Sequence, residues 1–210
     1  ILSTSCSTED DVNVTPTQED FFNLNVGNTW VYKRYNFELG NPTTYTFSGI
    51  TDNVEIVENV SLNGVSFSKL KHTKTHSNNS EQSIEFEYLR VNSSGHLIGF
   101  YASQYDLETI DENSGQVYHP GTDFNFGITV EFPYGSLNYS LYPQENIIVE
   151  NNNYSVLPFK GVFTPSSSEL ESKTVESNYQ SQIGLVKTVS HLVSGPYGWE
   201  DRLISYNIGD

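Results

Sequence analysis

The chain has 210 residues, 36% of them hydrophobic, 13% aromatic and only 17% charged, which fits one compact domain able to bury a core. Lys and Arg number 10 against 26 Asp and Glu, a net charge of −16 that opposes binding to nucleic acid or to an anionic membrane surface. The single cysteine, Cys6, excludes an internal disulfide, a CxxC redox pair and a cysteine-built zinc site.

Ile1 to Gln18 begins with two apolar residues and then turns small, polar and acidic, a composition that cannot offset its own ordering entropy. Gln18 to Leu24 has room for one helical turn leading Phe21 and Phe22 into a core. From there the periodicity is two. Gly27-Asn28 turns into a strand whose one face carries Trp30 and Tyr32. Asn63-Gly64, between Val54–Leu62 and Val65–Thr73, predicts a two-residue type I′ hairpin, because both central residues tolerate positive φ. Ile84, Phe86 and Tyr88 alternate with Glu85 and Glu87, which places the two carboxylates on a wet face. Phe126, Ile128, Val130 and Phe132 form one dry face, Leu137, Tyr139 and Leu141 another, and Ile204, Tyr206 and Ile208 lie opposite Leu203, Ser205 and Asn207. Ser167 to Glu176 reads as helix or strand, and β-branched Thr174 and Val175 tilt it towards strand. Turns at Gly40-Asn41-Pro42, Asn92-Ser93-Ser94-Gly95, His119-Pro120-Gly121 and Gly195-Pro196-Tyr197-Gly198 separate about eleven or twelve strands, with no repeat and no linker. The expectation is an all-β antiparallel domain over residues 21–210; spacing alone leaves barrel, half-barrel and β-sandwich open.

Apolar Ile1-Leu2 followed by small residues before the lone Cys6 resembles the end of a bacterial lipoprotein signal peptide, and Glu9-Asp10-Asp11 resembles the export signal of Bacteroidota surface lipoproteins. The resemblance implies that residues 1–20 hold a signal-peptide remnant, a lipidation site at Cys6 and a flexible tether reaching about 40 Å when stretched. Gly27-Asn28-Thr29-Trp30-Val31-Tyr32 looks like the opening strand of Bacteroidota cell-envelope lipoproteins. Pro158-Phe159-Lys160-Gly161-Val162-Phe163, Gly184-Leu185-Val186-Lys187 and Leu203-Ile204-Ser205-Tyr206 resemble the closing half of TapB-like and DUF3108-like envelope proteins. What that resemblance implies is a single curved antiparallel sheet of the half-barrel kind seen in LolA-type carriers, an outer-membrane location facing the cell surface, and no catalytic residue.

The chemistry-bearing residues point the same way. His72 and His76, four apart on a strand, stand about 13 Å from each other, too far for one metal, and Lys69, Lys71 and Lys74 mark their segment as an exposed basic strand. His96, His119 and His191 read as surface or turn residues, and Asp106, Glu108, Asp111 and Glu112 as a solvated loop without EF-hand spacing. No GxSxG, Walker or dinucleotide fingerprint is present. A hydrolase would require a cleft with convergent polar groups and shifted pKa values. The sequence therefore predicts a non-enzymatic, lipid-anchored outer-membrane lipoprotein with no cofactor and no metal, touching the membrane through its acyl anchor only. It would serve as an accessory subunit of an outer-membrane protein complex or as a binder of an apolar ligand, with Trp30 and Tyr32 lining the concavity. The alternative is a surface glycan-binding module using Tyr197 and Trp199.

Overall fold

The computed structural model describes residues 21–40, 43–77, 81–167, 169–192 and 195–209, so Cys6 and the segment around it lie outside the described residues. Thirteen strands make one antiparallel sheet. In chain order they are β1 (Thr29–Glu38), β2 (Thr44–Leu62), β3 (Val65–His76), β4 (Gln82–Val91), β5 (Leu97–Tyr101), β6 (Gln116–His119), β7 (Gly127–Phe132), β8 (Gly135–Leu141), β9 (Glu145–Val149), β10 (Asn152–Pro165), β11 (Lys173–Gln180), β12 (Gly184–His191) and β13 (Tyr197–Asn207). Across the sheet the order is β6-β5-β4-β3-β2-β1-β13-β12-β11-β10-β8-β7, with β9 paired to the first half of β10.

The sheet is curved and does not close. Register shifts at Val31/Tyr32, Lys33/Tyr35, Ile56/Glu58, Leu97/Ile98 and Asn178/Tyr179 add residues on one strand of a pair, which bends it and raises its twist. The bending carries β6 round until His119 Nε2 lies 2.9 Å from the Leu157 carbonyl of β10, although no ladder joins those strands. The half-barrel is the architecture expected. The Asn63-Gly64 hairpin also forms as read, with Leu62 opposite Val65 and φ of 48° and 84° at the two turn residues. Ser167 to Glu176 resolves in favour of strand from Lys173 onward.

Which face is interior differs from the simple alternation. Trp30, Tyr32 and Arg34 of β1 share a face with Asp52 and Val54 of β2, Leu70, His72 and Lys74 of β3, and Glu85, Glu87 and Leu89 of β4. That face is concave, so Glu87 is 6% exposed rather than wet. Phe86 and Tyr88 belong to the convex side, where Phe67, Tyr88, Phe100 and Ile110 form a second small core beneath the segment after β5. Ile84 projects past it and is 58% exposed. The acidic residues of that segment stay on its surface as expected, and Ile110 is its buried anchor.

Three further expectations are corrected. The dry face assigned to Phe126–Phe132 is largely exposed at Val130 and Phe132, because β7 is an edge strand that pairs only with β8. The alternation read for the last strand is broken at Ile204, which the register shift opposite Val31/Tyr32 inserts: Leu203 falls opposite Tyr32 and is fully buried, whereas Tyr206, opposite Trp30 near the strand's end, is exposed. Phe21 and Phe22 do enter the core, but as a bend and not a helical turn; residues 18–20 lie outside the described residues. Their rings meet edge to face at 4.8 Å and pack on His119 and Tyr179.

Candidate functional site

The concavity holds two adjoining chambers. The first, about 90 Å³, is lined chiefly by apolar side chains, among them Phe22, Trp30, Leu70, Leu89, Leu97 and Tyr179. The second, about 180 Å³, is lined by Arg34, Ile50, Asp52, Lys74, His76 and Asp201. Tyr32, His72 and Leu185 line both and so stand between them. Trp30 lines the first chamber and Tyr32 both. Alternate positions on β1 put them on one face, and each is fixed at its polar end: Trp30 Nε1 donates to the Ile183 carbonyl at 2.6 Å and the Tyr32 hydroxyl to the Leu185 carbonyl at 2.8 Å.

Tyr197 and Trp199 are not part of this site. They sit at the start of β13, on a strand and not in a loop, with Tyr197 52% exposed and Trp199 half-buried. Trp199 lies opposite Asn36 of β1 and Ser190 of β12.

The polar centre of the concavity is the trio Asp52, His72 and Glu87, of which His72 and Glu87 were expected on the surface. His72, 6% exposed and not on an exposed basic strand, donates from Nδ1 to Asp52 Oδ2 at 2.9 Å and from Nε2 to Glu87 Oε2 at 3.1 Å. With both ring nitrogens directed at carboxylates the ring is an imidazolium. Burial alone would lower its pKa, but the two hydrogen bonds and the two negative charges outweigh it and raise the value to about 9. Tyr118 stands near Glu87, and burial with that negative charge holds the phenol well above its ordinary pKa. Around the trio, Arg34 forks onto both oxygens of Asp201 at 2.8 Å, and Lys74 meets Glu85 at 2.9 Å.

His119 is a second buried histidine where a turn residue was expected. Its Nδ1 accepts from the Gly121 backbone N–H at 3.1 Å, which leaves the proton on Nε2 for the Leu157 carbonyl. Packed among Phe21, Phe22, Phe159 and Tyr179, it has its pKa lowered by burial to about 4. His96 is likewise buried and meets Asp123 at 3.1 Å. Among the described residues no group of three or more His, Cys, Asp or Glu is arranged to hold a metal ion.

The concavity therefore combines an apolar pocket, a charged antechamber and a fixed acid–imidazolium–acid bridge between them. It can accept a molecule with an apolar part and a polar end. The trio had one partial trace in the sequence: once the Asn63-Gly64 turn is granted, β2 and β3 are antiparallel neighbours, but it is the register shift at Ile56/Glu58 that puts Val54 opposite His72 and so brings Asp52, two residues away, onto the same face.

No family model matches the sequence, and no curated protein matches it. Two solved structures are similar to the chain. One, from Bacteroides fragilis, is named as an exported protein with a YmcC-like fold; it is 9% identical with a TM-score of 0.47, over 89% of this chain and 98% of that one. The other, from Parabacteroides distasonis, is named as a lipoprotein; it is 14% identical with a TM-score of 0.40, over 89% of this chain and 98% of that one.

Proposed function

We propose that this protein is a lipid-anchored envelope lipoprotein of the outer membrane that holds an apolar ligand in the concavity of its sheet and performs no chemistry on it. The observation that carries the ligand reading is the apolar chamber lined by Trp30, Leu70, Leu89 and Leu97 at the heart of the concave face. A chain threading both chambers would bury about eight methylenes, contributing about 6 kcal/mol before the cost of association, so micromolar or weaker affinity is the expectation. What supports the reading without chemistry is the state of the buried histidine. An imidazolium with both N–H groups committed has no lone pair with which to act as a base. The glycan reading is less well supported, since Tyr197 and Trp199 differ in exposure and make no flat aromatic platform. The acyl anchor at Cys6 rests on the residues around it, and the segment after it would let the domain hang from the membrane.

Two measurements test this reading. In a Trp199→Phe background Trp30 is the sole indole, and its emission should change saturably as decanol is added below its aggregation limit. Leu70→Phe, which fills the chamber, should weaken that response at least about tenfold. An emission spectrum indifferent to decanol throughout would remove the ligand reading. Separately, a clickable fatty acid fed to a producing Bacteroidota host should label the wild-type chain and not Cys6→Ala; equal labelling of both would remove the anchor.

A further inference from the structure

We propose that the ligand of the concavity is an amphiphile with a cationic, hydrogen-bond-donating head, an alkylammonium, whose chain lies in the apolar chamber and whose head is taken by the Asp52 carboxylate in the charged one. This rests on the ligand reading above and adds the chemical class. The reason is a charge and hydrogen-bond imbalance built into the concave face. Each peripheral cation has a carboxylate of its own: Arg34 has Asp201, and Lys74 has Glu85. His72 instead is one positive charge between two carboxylates, Asp52 and Glu87, so the trio is short of one positive charge.

The acceptors show where the missing charge belongs. Glu87 is engaged by His72, Asp201 by both ends of the Arg34 fork, and Glu85 by Lys74 and Ser103. Asp52 Oδ1 is shielded from water and has no hydrogen-bond partner among the described residues. An orphaned carboxylate oxygen in such a place is costly unless a donor completes it. The Asp52 side chain is 18% exposed and lines the charged chamber, which is where an entering head meets it. The apolar chamber begins on the far side of Tyr32, His72 and Leu185, where the tail follows. A carboxylate head would meet the excess negative charge of the trio, and an alcohol could satisfy the oxygen but not the charge.

The test is calorimetric titration of the full chain with decylammonium, decanol and decanoate, each below its micelle concentration at about neutral pH. Decylammonium should bind at least about tenfold tighter than decanol, and decanoate should be the weakest of the three. Asp52→Asn and Glu87→Gln each bring the trio to neutrality, and each should cut the preference for decylammonium over decanol to below about threefold. Should either variant fail to fold by circular dichroism, the wild-type series decides alone. Decanoate binding as tightly as decylammonium, or a tenfold preference surviving in a folded Asp52→Asn, would overturn the head-group assignment. Equal binding of all three probes overturns that assignment and leaves the chamber standing, whereas binding by none overturns both.

Discussion

Glu87→Ala is expected to cost about 3–5 kcal/mol of folding free energy, a large share of what a domain of this size has. The carboxylate is buried in the wall of the apolar chamber, and its removal strands the Nε2–H of a buried imidazolium. A buried charge that loses a partner is far more costly than the pair was favourable, because its desolvation remains when its compensation goes. Glu87→Gln keeps an acceptor for the His72 Nε2–H and should cost less, about 1–3 kcal/mol. Glu85, two residues along on the same face but over a third exposed in its side chain, binds Lys74 at the rim, and Glu85→Ala should cost under about 1 kcal/mol. Urea unfolding midpoints of the three variants at about neutral pH measure the ordering. A loss below about 1 kcal/mol for Glu87→Ala would show that His72 does not depend on its second carboxylate.

Stability should also fall on both sides of neutrality, with a different histidine governing each limb. His72 has a folded pKa raised from the ordinary 6.5 to about 9, so its contribution is complete below 6.5 and is lost as pH rises through about 9. A shift of that size corresponds to about 3 kcal/mol. His119 has a folded pKa lowered from 6.5 to about 4; the unfolded chain takes up its proton first, so stability falls by a similar amount, about 3 kcal/mol, as pH drops from 6.5 to about 4. The maximum should therefore lie near pH 6.5. Imidazole nitrogen shifts resolve the two residues: His72 should stay doubly protonated to about pH 9, and His119 should stay the neutral Nε2–H tautomer to about pH 4. A His72 resonance that titrates near 6.5 would mean that the two carboxylates do not hold it, and the alkaline limb would vanish with it.

Local rules made much of the architecture readable. Asn63-Gly64 dictates a hairpin because its two residues alone fit the positive φ values the turn needs, and that fixes β2 against β3. Trp30 and Tyr32 share a face because strand side chains repeat every second residue, and that face did turn out to line the concavity. Alternation says which residues are on the same side, but not which side curves inward. Both faces of β4 carry buried residues, Glu87 and Leu89 towards the concavity and Tyr88 towards the convex core, so hydrophobicity alone assigned them wrongly.

The acid–imidazolium–acid trio depended on more than pattern. The register shift at Ile56/Glu58 sets which residue of β2 reaches His72, and the curl of the sheet brings Tyr118 of β6 to Glu87 across a chain separation no local rule spans. His119 looked like a turn residue beside Pro120 and Gly121, and its burial follows from the same curl, which lays β6 over β10 and β11. The sequence by itself determined the strands, their turns and the pairing of neighbours, since those depend on φ preferences and a period of two. Only the tertiary structure decided which face became the interior and which charges met there, since bend and register accumulate over many strands and are set by packing as a whole.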